Sequence, residues 1–254
     1  MPKRFPARRL PLSALAACLF AGCASGAGDR QSFEPPQRQL GDMVRPHGVA
    51  DPIAVYDPIE GTNRGIYKFN AQLDRHVLIP VVETYEDVTP RFLRDRVSSF
   101  FLNLGEVSNF TNSVFQLSAE KAVPTFFRFT LNSTLGLLGL FDIASDFGIP
   151  RQNEDFGQTL GYWGVEPGPY LVLPVLGPSN ARDAVGTAVD FLTLSLVVPA
   201  DIANDTWYQG VRYGLGPIDT RYRVGFRYYA TGSPFEYSLV RYVTTQARNA
   251  EIGK

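Results

Sequence analysis

The segment from Val123 to Ala144 carries only two charged side chains, and it restricts the fold more than any other part of the sequence. The two charges are Arg128 and Asp142, and the thirteen residues between them are uncharged. This is too apolar for a helix on a water-facing surface. It is also too short, and too interrupted by Gly136 and Gly139, to cross a bilayer, which takes about 20 apolar residues. The segment therefore fits either a soluble core or a single leaflet of about 15 Å.

The first 22 residues have the pattern of a secretory signal. Four positive residues precede an apolar stretch from Leu10 to Ala21, and Cys23 follows Gly22. A cysteine in this place resembles the bacterial lipobox, so we expect residues 1–22 to be removed and Cys23 to be acylated. Phe20 stands where the lipobox usually has Leu. An ordinary signal peptide with an incidental cysteine, or an uncleaved helix, is therefore the alternative.

Charge and cysteine content exclude several classes of protein. Removing residues 1–22 takes away four positive charges, which leaves 20 Lys plus Arg against 25 Asp plus Glu and a net charge near −5. A polybasic nucleic-acid binder is thereby excluded. The other cysteine, Cys18, lies in the predicted signal, so the mature chain can form no internal disulfide.

Composition divides the mature chain into a tether and a body. Residues 23–56 are rich in Gly, Pro, Gln and charge, which predicts a lipidated N-terminus followed by a flexible tether. We expect one helical domain over residues 57–250. Aromatic residues make up 13% of the chain, which suits a membrane interface as well as a core.

Helical spacing recurs through the body. The helix predicted from about Arg91 to Leu117, with a possible break at Gly105, carries Ser and Asn on the faces where a solvated helix normally carries full charges. From Gly157 to Gly177 the Gly and Pro content predicts loops and short extended pieces. Ser179 is predicted to cap the next helix, and Ser233 with Glu236 predicts a capping box.

The sequence contains no recognisable catalytic or metal-binding constellation. There is no P-loop, no HExxH and no cluster of His with carboxylates. His76 is isolated, and Ser179 lacks the second Gly of a nucleophile elbow. We therefore predict that the protein is not an enzyme, that it uses no cofactor or metal, and that it binds or conducts a ligand.

Several motifs in order resemble the MlaA (VacJ) family of Gram-negative outer-membrane lipoproteins. They are DPIEGTNRGIYKFN from Asp57 to Asn70, FFRFTLNSTLGLLGLFDIA from Phe126 to Ala144, FGQTLGYWGVEPGPYLVLPVLGPSNARDAVG from Phe156 to Gly186, and IDTRY from Ile218 to Tyr222. The resemblance covers about residues 57–245. Thr62 departs from the family, which usually has an aromatic residue there.

The resemblance implies a mainly α fold: a ring-like arrangement of amphipathic, interfacial and kinked helices around a polar channel, with Gly/Pro-rich irregular segments. It implies a lipid-anchored protein in the periplasmic leaflet of the outer membrane. Such a protein removes phospholipids that have strayed into the outer leaflet and passes them to a soluble periplasmic carrier (MlaC-like). A trimeric porin is the other implied partner, and nucleic acid is not one.

Two sets of residues follow as site candidates. The family motif is structural or lies at the entrance of the channel, and its members are Asp57, Pro58, Glu60, Asn63, Arg64, Phe69 and Asn70. We favour the interpretation that Asp57, Glu60, Asn63 and Arg64 cap a helix and pair with one another. The candidates for membrane contact are Phe126, Phe127, Leu135, Leu137, Leu138 and Leu140, with a soluble core as their alternative.

Two other functions stay open at this point. A structural lipoprotein that scaffolds porins or the envelope without conducting lipid explains the anchor and tether equally well. An outer-membrane phospholipase would need a role for Ser179 or His76.

Overall fold

The computed structural model describes residues 53–253, so the predicted signal peptide, Cys23 and most of the predicted tether lie outside the described residues. Helices dominate these residues, and the one sheet has two strands. The mainly α fold class predicted from the sequence is confirmed.

The first helical stretch contains α1 (Glu60–Leu73) and α2 (Ile79–Val88), joined by a π-helical segment (Asp74–Leu78). Pro80 is among the first residues of α2 and has no N–H to donate, and the turn before it is wide, with the Ile79 N–H bonded to the Asp74 carbonyl. A second π-helical segment (Gly210–Leu215) likewise precedes a proline-containing helix start. Proline thus coincides with a widened turn twice in this fold.

The longest helix is α3 (Arg91–Phe115), and α4 (Ala119–Thr134) packs along it. The predicted break of α3 at Gly105 is wrong. A helical glycine costs only about 1 kcal/mol, and residues on both sides of Gly105 are buried on the same face. A turn rich in Leu and Gly follows α4 and leads to α5 (Ile143–Asp146).

The next elements are α6 (Phe156–Tyr162), β1 (Tyr170–Leu173), β2 (Gly177–Asn180) and α7 (Ala181–Val197). The strands are antiparallel, with Tyr170 opposite Asn180 and Leu173 opposite Gly177. The prediction of irregular structure from Gly157 is wrong for α6, where Asp155 caps the helix by accepting from the Gln158 N–H. Ser179 is not the cap of α7, because the Asn180 side chain accepts from the Asp183 N–H instead.

Four further elements complete the described chain. They are α8 (Ala200–Ala203), α9 (Thr206–Gln209), α10 (Gly216–Arg223) and α11 (Glu236–Ile252). The predicted capping box is wrong, since α11 begins at Glu236 with Phe235 at its N-cap. The Glu236 carboxylate instead accepts from the Tyr67 hydroxyl at 2.9 Å and from the Thr231 hydroxyl at 2.6 Å.

Candidate functional site

One face of α3 is both polar and buried. Its members, none more than 6% exposed, are Asn103, Glu106, Asn109, Asn112 and Ser113, together with Gln116 at the C-cap of the helix. Their spacing of three and four residues places them on one side of the helix. Opposite them, α4 buries Thr125, Arg128 and Asn132. Polar side chains therefore fill the places that Leu and Val fill between helices of a water-soluble protein.

Arg128 is the central cation of this polar interior. Its Nε donates to Glu106 at 3.0 Å, and its Nη2 donates to both carboxylate oxygens of Asp142, at 2.9 and 3.0 Å. Its Nη1 donates to the Ile149 carbonyl at 2.6 Å. Arg128 and Glu106 are at most 2% exposed. A buried charge of this kind is tolerated only because its partner and hydrogen bonds are in place.

Asp142 is held ionised by the same network. Burial favours the neutral carboxyl, but hydrogen bonds from Ser145, Asn132 and Arg128 outweigh burial and lower the pKa of Asp142. The Asn132 side-chain oxygen also accepts from the Ala144 N–H at 2.9 Å. The polar interior therefore also fixes the end of the Leu-rich turn.

Sequence reasoning missed the contribution of residues 149–155. Glu154 accepts from Gln116 at 2.8 Å and pairs with Lys121 at 2.9 Å. Arg151 donates to the Leu102 carbonyl at 2.7 Å. The sequence did offer one signal for this contribution: three of the seven residues are charged, in a segment that the family motifs do not cover.

The outer side of α4 and of the turn after it is apolar. All six membrane-contact candidates lie there, between 39% and 73% exposed; we call these six residues, Phe126, Phe127, Leu135, Leu137, Leu138 and Leu140, the apolar belt. The alternative that they fill a soluble core is wrong, because none of them is buried. Three apolar residues of α7, namely Phe191, Leu192 and Leu196, are also more than half exposed.

The described chain as a whole has this inverted distribution. Its buried residues include 21 polar or charged side chains and 10 hydrophobic ones. In water-soluble proteins, Asp, Glu, Lys and Arg are almost never fully buried unless paired, and large contiguous apolar patches are rarely exposed. The distribution is that of a protein whose surroundings are partly apolar.

The Leu-rich turn exposes its side chains through an uncommon backbone. Leu137 and Leu138 have φ angles of 52° and 59°, and Gly139 has φ of 91°. Residues other than glycine rarely occupy this left-handed region. A Cβ atom on Gly139 would lie 2.5 Å from the Cβ of Asn103, so the turn fits tightly against α3.

Two asparagines of the family motif bind the backbone of strand β1 and of the turn that follows it. Asn63 donates to the Tyr170 carbonyl and accepts from the Val172 N–H, both at 2.9 Å. Asn70, two helical turns later, donates to the Leu173 carbonyl at 2.9 Å and accepts from the Val175 N–H at 2.8 Å. Each amide thus makes a reciprocal pair of bonds that fixes α1 to the sheet.

The charged motif residues bind each other and α11. Arg241 donates to Asp57 at 3.0 Å and to Glu60 at 2.9 Å, and the Tyr237 hydroxyl donates to Asp57 at 2.6 Å. Arg64 pairs with Glu60 at 2.7 Å. The mutual pairing expected for these residues is present. The expected capping is not, because Ile59 is the N-cap of α1 and no side chain caps it.

The two remaining motif residues, Pro58 and Phe69, face outward. Pro58 is exposed, and Phe69 is 53% exposed. The polar members of the motif therefore join three elements together, while its apolar members stay on the surface.

A separate polar cavity of about 240 Å³ lies between β2, α7 and α11. Arg248 donates to Asp183 at 2.7 Å and to Asp155 at 2.6 Å on its wall. Burial favours the neutral form of Asp155, but the bonds from Arg248 and Gln158 outweigh it and lower the pKa of Asp155.

The two residues considered for catalysis lie apart in different surroundings. His76 is exposed and contacts Gln72 at 3.0 Å. Ser179 lies in β2, with its hydroxyl directed to the Asn180 carbonyl at 3.4 Å. Neither contacts the other, and within residues 53–253 no group of three or more His, Cys, Asp or Glu residues is arranged to hold a metal ion.

Comparison with known families decides the classification. The family model described as MlaA lipoprotein matches residues 55–251. The chain belongs to the MlaA lipoprotein family. The resemblance identified from the motifs is thereby confirmed.

Similar proteins place this MlaA family member among bacterial relatives. An uncharacterised protein of Rickettsia felis is 41% identical over 137 residues, which are 54% of this chain and 55% of that protein. The intermembrane phospholipid transport system lipoprotein MlaA of Escherichia coli K12 is 33% identical over 186 residues, 72% of this chain and 65% of that protein. The chain thus spans about half the length of the Rickettsia relative.

A solved structure has a similar fold. It is described as the structural basis for maintenance of bacterial outer membrane lipid asymmetry, and it matches with a TM-score of 0.62 and 29% identity over 78% of this chain and 100% of that one. Within residues 53–253, no helix has both the length and the apolar character needed to cross a membrane.

Proposed function

We propose that this chain is an outer-membrane lipoprotein that removes mislocalised phospholipids from the outer leaflet and passes them to a soluble periplasmic carrier, which maintains lipid asymmetry. In this proposal an acylated Cys23 anchors the chain to the periplasmic leaflet. A trimeric porin and an MlaC-like carrier are its partners. Membership of the MlaA family and the name of its E. coli relative support the proposal.

The inverted polarity is the observation that carries the proposal. The apolar belt is exposed while α3 and α4 bury polar side chains between them. An apolar exterior about 15 Å deep suits one leaflet of a bilayer.

The chemistry of the polar residues suits a path for a lipid headgroup. Amide and hydroxyl groups such as those of Asn103 and Ser133 can hydrogen-bond a headgroup without holding it as tightly as an unpaired cation cluster. The buried charges of Arg128 and Glu106 are already paired with each other. In our proposal the helices surround a polar channel in a ring-like arrangement. The sequence has no P-loop, so in this proposal the net direction of transport comes from leaflet imbalance or from the downstream partners.

The test is to delete the gene in the source bacterium and to measure phospholipid at the cell surface with a label selective for the outer leaflet. Surface phospholipid should rise on deletion and return to normal with the wild-type gene. Cys23→Ala should fail to restore it. Cys18→Ala, which changes the other cysteine inside the predicted signal, is the matched control and should restore it.

Unchanged surface phospholipid after deletion would contradict lipid removal. Restoration by Cys23→Ala would contradict only the anchoring part of the proposal.

A further inference from the structure

Two arginines, Arg96 and Arg212, differ from the other buried or half-buried arginines in the described chain. Those others, such as Arg128, Arg221, Arg241 and Arg248, each bind a carboxylate. Within residues 53–253, neither Arg96 nor Arg212 has an ion pair. Each guanidinium lies instead over two aromatic rings. We call Arg96 and Arg212 the aromatic-flanked arginines.

Arg96 lies between rings at the edge of the apolar belt. Its guanidinium carbon is 4.6 Å from the centre of the Phe141 ring and 5.1 Å from that of Phe92. Phe141 directly follows Leu140 of the belt, and Phe92 is 61% exposed. The Nε of Arg96 is buried and has no hydrogen-bond partner in the described residues. This cation is therefore positioned by stacking and is not neutralised by the protein.

Arg212 has the same arrangement beside the exposed apolar face of α7. Its guanidinium carbon is 5.0 Å from the ring centre of Phe191 and 5.4 Å from that of Tyr213, and both rings are more than half exposed. It donates only to two neutral hydroxyls, of Tyr208 at 3.1 Å and Ser195 at 3.3 Å. Two separate elements thus present an unpaired guanidinium next to apolar surface.

Physical chemistry limits what can neutralise these cations. A charge beside hydrocarbon is costly unless it reaches an anion or the polar interface. Arginine is the side chain whose planar fork binds phosphate with two parallel hydrogen bonds. In the described residues the two Nη groups of Arg96 make no hydrogen bond, and each Nη group of Arg212 makes one and keeps a second N–H to donate. The anion present at the edge of an apolar surface in a membrane is the phosphodiester of a phospholipid.

We propose that Arg96 and Arg212 each bind the phosphodiester group of a membrane phospholipid at the edge of the exposed apolar surface. This inference rests on the proposed function, which places that surface in a leaflet. It adds the two residues that recognise the headgroup and the chemical group that they recognise.

The experiment measures lipid binding to the full-length acylated chain, purified in detergent and freed of lipid. The probes are phosphatidylglycerol and a diacylglycerol with the same acyl chains, which lacks the phosphate. The variants are Arg96→Gln, Arg212→Gln and the double substitution. Arg91→Gln is the matched control, because Arg91 is exposed at the start of the same helix as Arg96 and its guanidinium lies over no aromatic ring of the described residues.

Each single substitution should weaken phosphatidylglycerol binding by about tenfold, and the double substitution should weaken it further. Diacylglycerol binding should be equal in all variants, and Arg91→Gln should bind both lipids as wild type does. Arg96→Lys keeps the charge but not the planar fork, so it should have an intermediate affinity. If Arg96→Gln does not fold, as judged by circular dichroism, Arg96→Lys and Arg212→Gln carry the test.

Equal phosphatidylglycerol binding by wild type and the double variant would overturn the inference. Displacement of the lipid by a modest excess of inorganic phosphate would show a site for free phosphate and would overturn the lipid assignment. The deletion experiment tests the proposed function independently. If the wild-type gene restores lipid asymmetry but the arginine variants bind phosphatidylglycerol normally, the proposed function stands and this inference is wrong.

Discussion

Asn63 shows how a single amide can join distant parts of this chain. Its side chain donates to Asp57 at 2.8 Å and to the Tyr170 carbonyl, and its oxygen accepts from the Val172 N–H. Asn63 is 1% exposed, so water cannot replace these bonds. An amide is required here because the site needs donors and an acceptor in one group.

Asn63→Asp should therefore destabilise the fold although it hardly changes the size of the side chain. The new carboxylate cannot donate to the Tyr170 carbonyl and faces the carboxylate of Asp57. We expect a loss of about 3 kcal/mol in the free energy of unfolding, measured by denaturant titration in detergent micelles. Asn153→Asp, on an exposed asparagine, is the control and should change stability little. Equal losses in the two variants would show that the bonds to β1 contribute nothing.

Arg128→Met tests the buried network of the polar interior. The substitution leaves Glu106, which is 0% exposed, without its nearest cation, and we expect a loss of about 3 kcal/mol. The double variant Arg128→Met with Glu106→Gln should recover part of that loss, since it removes the uncompensated charge. If Glu106→Gln lowers the stability of the Arg128→Met protein as much as it lowers that of wild type, then Arg128 and Glu106 are not energetically coupled. Unfolding in micelles again provides the measurement.

The sequence identified the motif residues but not their partners. The motif predicted that Asp57, Glu60, Asn63 and Arg64 cap a helix and pair with one another. The bonds from Asn63 to β1 join residues more than 100 positions apart. No local pattern contains such a contact, because it exists only once the tertiary fold brings α1 to the strand.

At the scale of elements, the Leu-rich turn depends on close contact with α3. Gly139→Ala would place a Cβ 2.5 Å from the Asn103 Cβ and would also strain a backbone with φ of 91°. We expect a loss of about 3 kcal/mol in unfolding free energy. Gly148→Ala has a similar positive φ of 71° but open space around it, so it isolates the backbone strain and should cost about 1 kcal/mol. Equal costs would mean that the contact with α3 is not tight.

The contact between α6 and α11 should respond to acid. The pKa of Asp155 is lowered in the folded protein by Arg248 and Gln158 against the effect of burial. A lowered folded pKa contributes stability above the unfolded value of about 3.9, and this stability is lost as the pH falls through the folded pKa. The denaturant concentration at the midpoint of unfolding should therefore decrease as the pH is lowered below about 4. The decrease should be steeper in wild type than in Asp155→Asn. Identical pH profiles for the two proteins would contradict this.

Element boundaries were predictable where periodicity was long and less so where caps compete. The stretch from Arg91 to Phe115 was predicted as a helix to within two residues. Ser179 and Asn180 are both good cap residues, and the structure uses Asn180, whose oxygen reaches the Asp183 N–H. Glu236 forms no capping box, because its carboxylate accepts hydrogen bonds from the hydroxyls of Tyr67 and Thr231 instead.

At the scale of the whole molecule, the sequence could reveal two-faced helices but not which face is buried. A stripe of Asn and Ser on α3 and a stripe of Phe on α4 have the same period whether the polar side faces water or the interior. The structure resolves this by burying Asn109, Asn112 and Arg128 and exposing Phe126 and Phe127. The surroundings of the protein, which the periodicity does not encode, decide which arrangement is stable.

In the proposed function the apolar belt lies in the hydrocarbon of a membrane. The most direct measurement attaches a polarity-sensitive fluorophore to Leu138→Cys, 73% exposed in the belt, or to Glu120→Cys, at an exposed charged position in the first turn of α4. The labelled proteins are placed in vesicles that carry nitroxide quenchers on the lipid acyl chains, and the signal of the parent chain treated with the same fluorophore is subtracted. We expect strong quenching at position 138 and little at position 120, because a charged side chain is costly in hydrocarbon. Weak quenching at both positions would contradict the claim, because the belt would then be exposed to water.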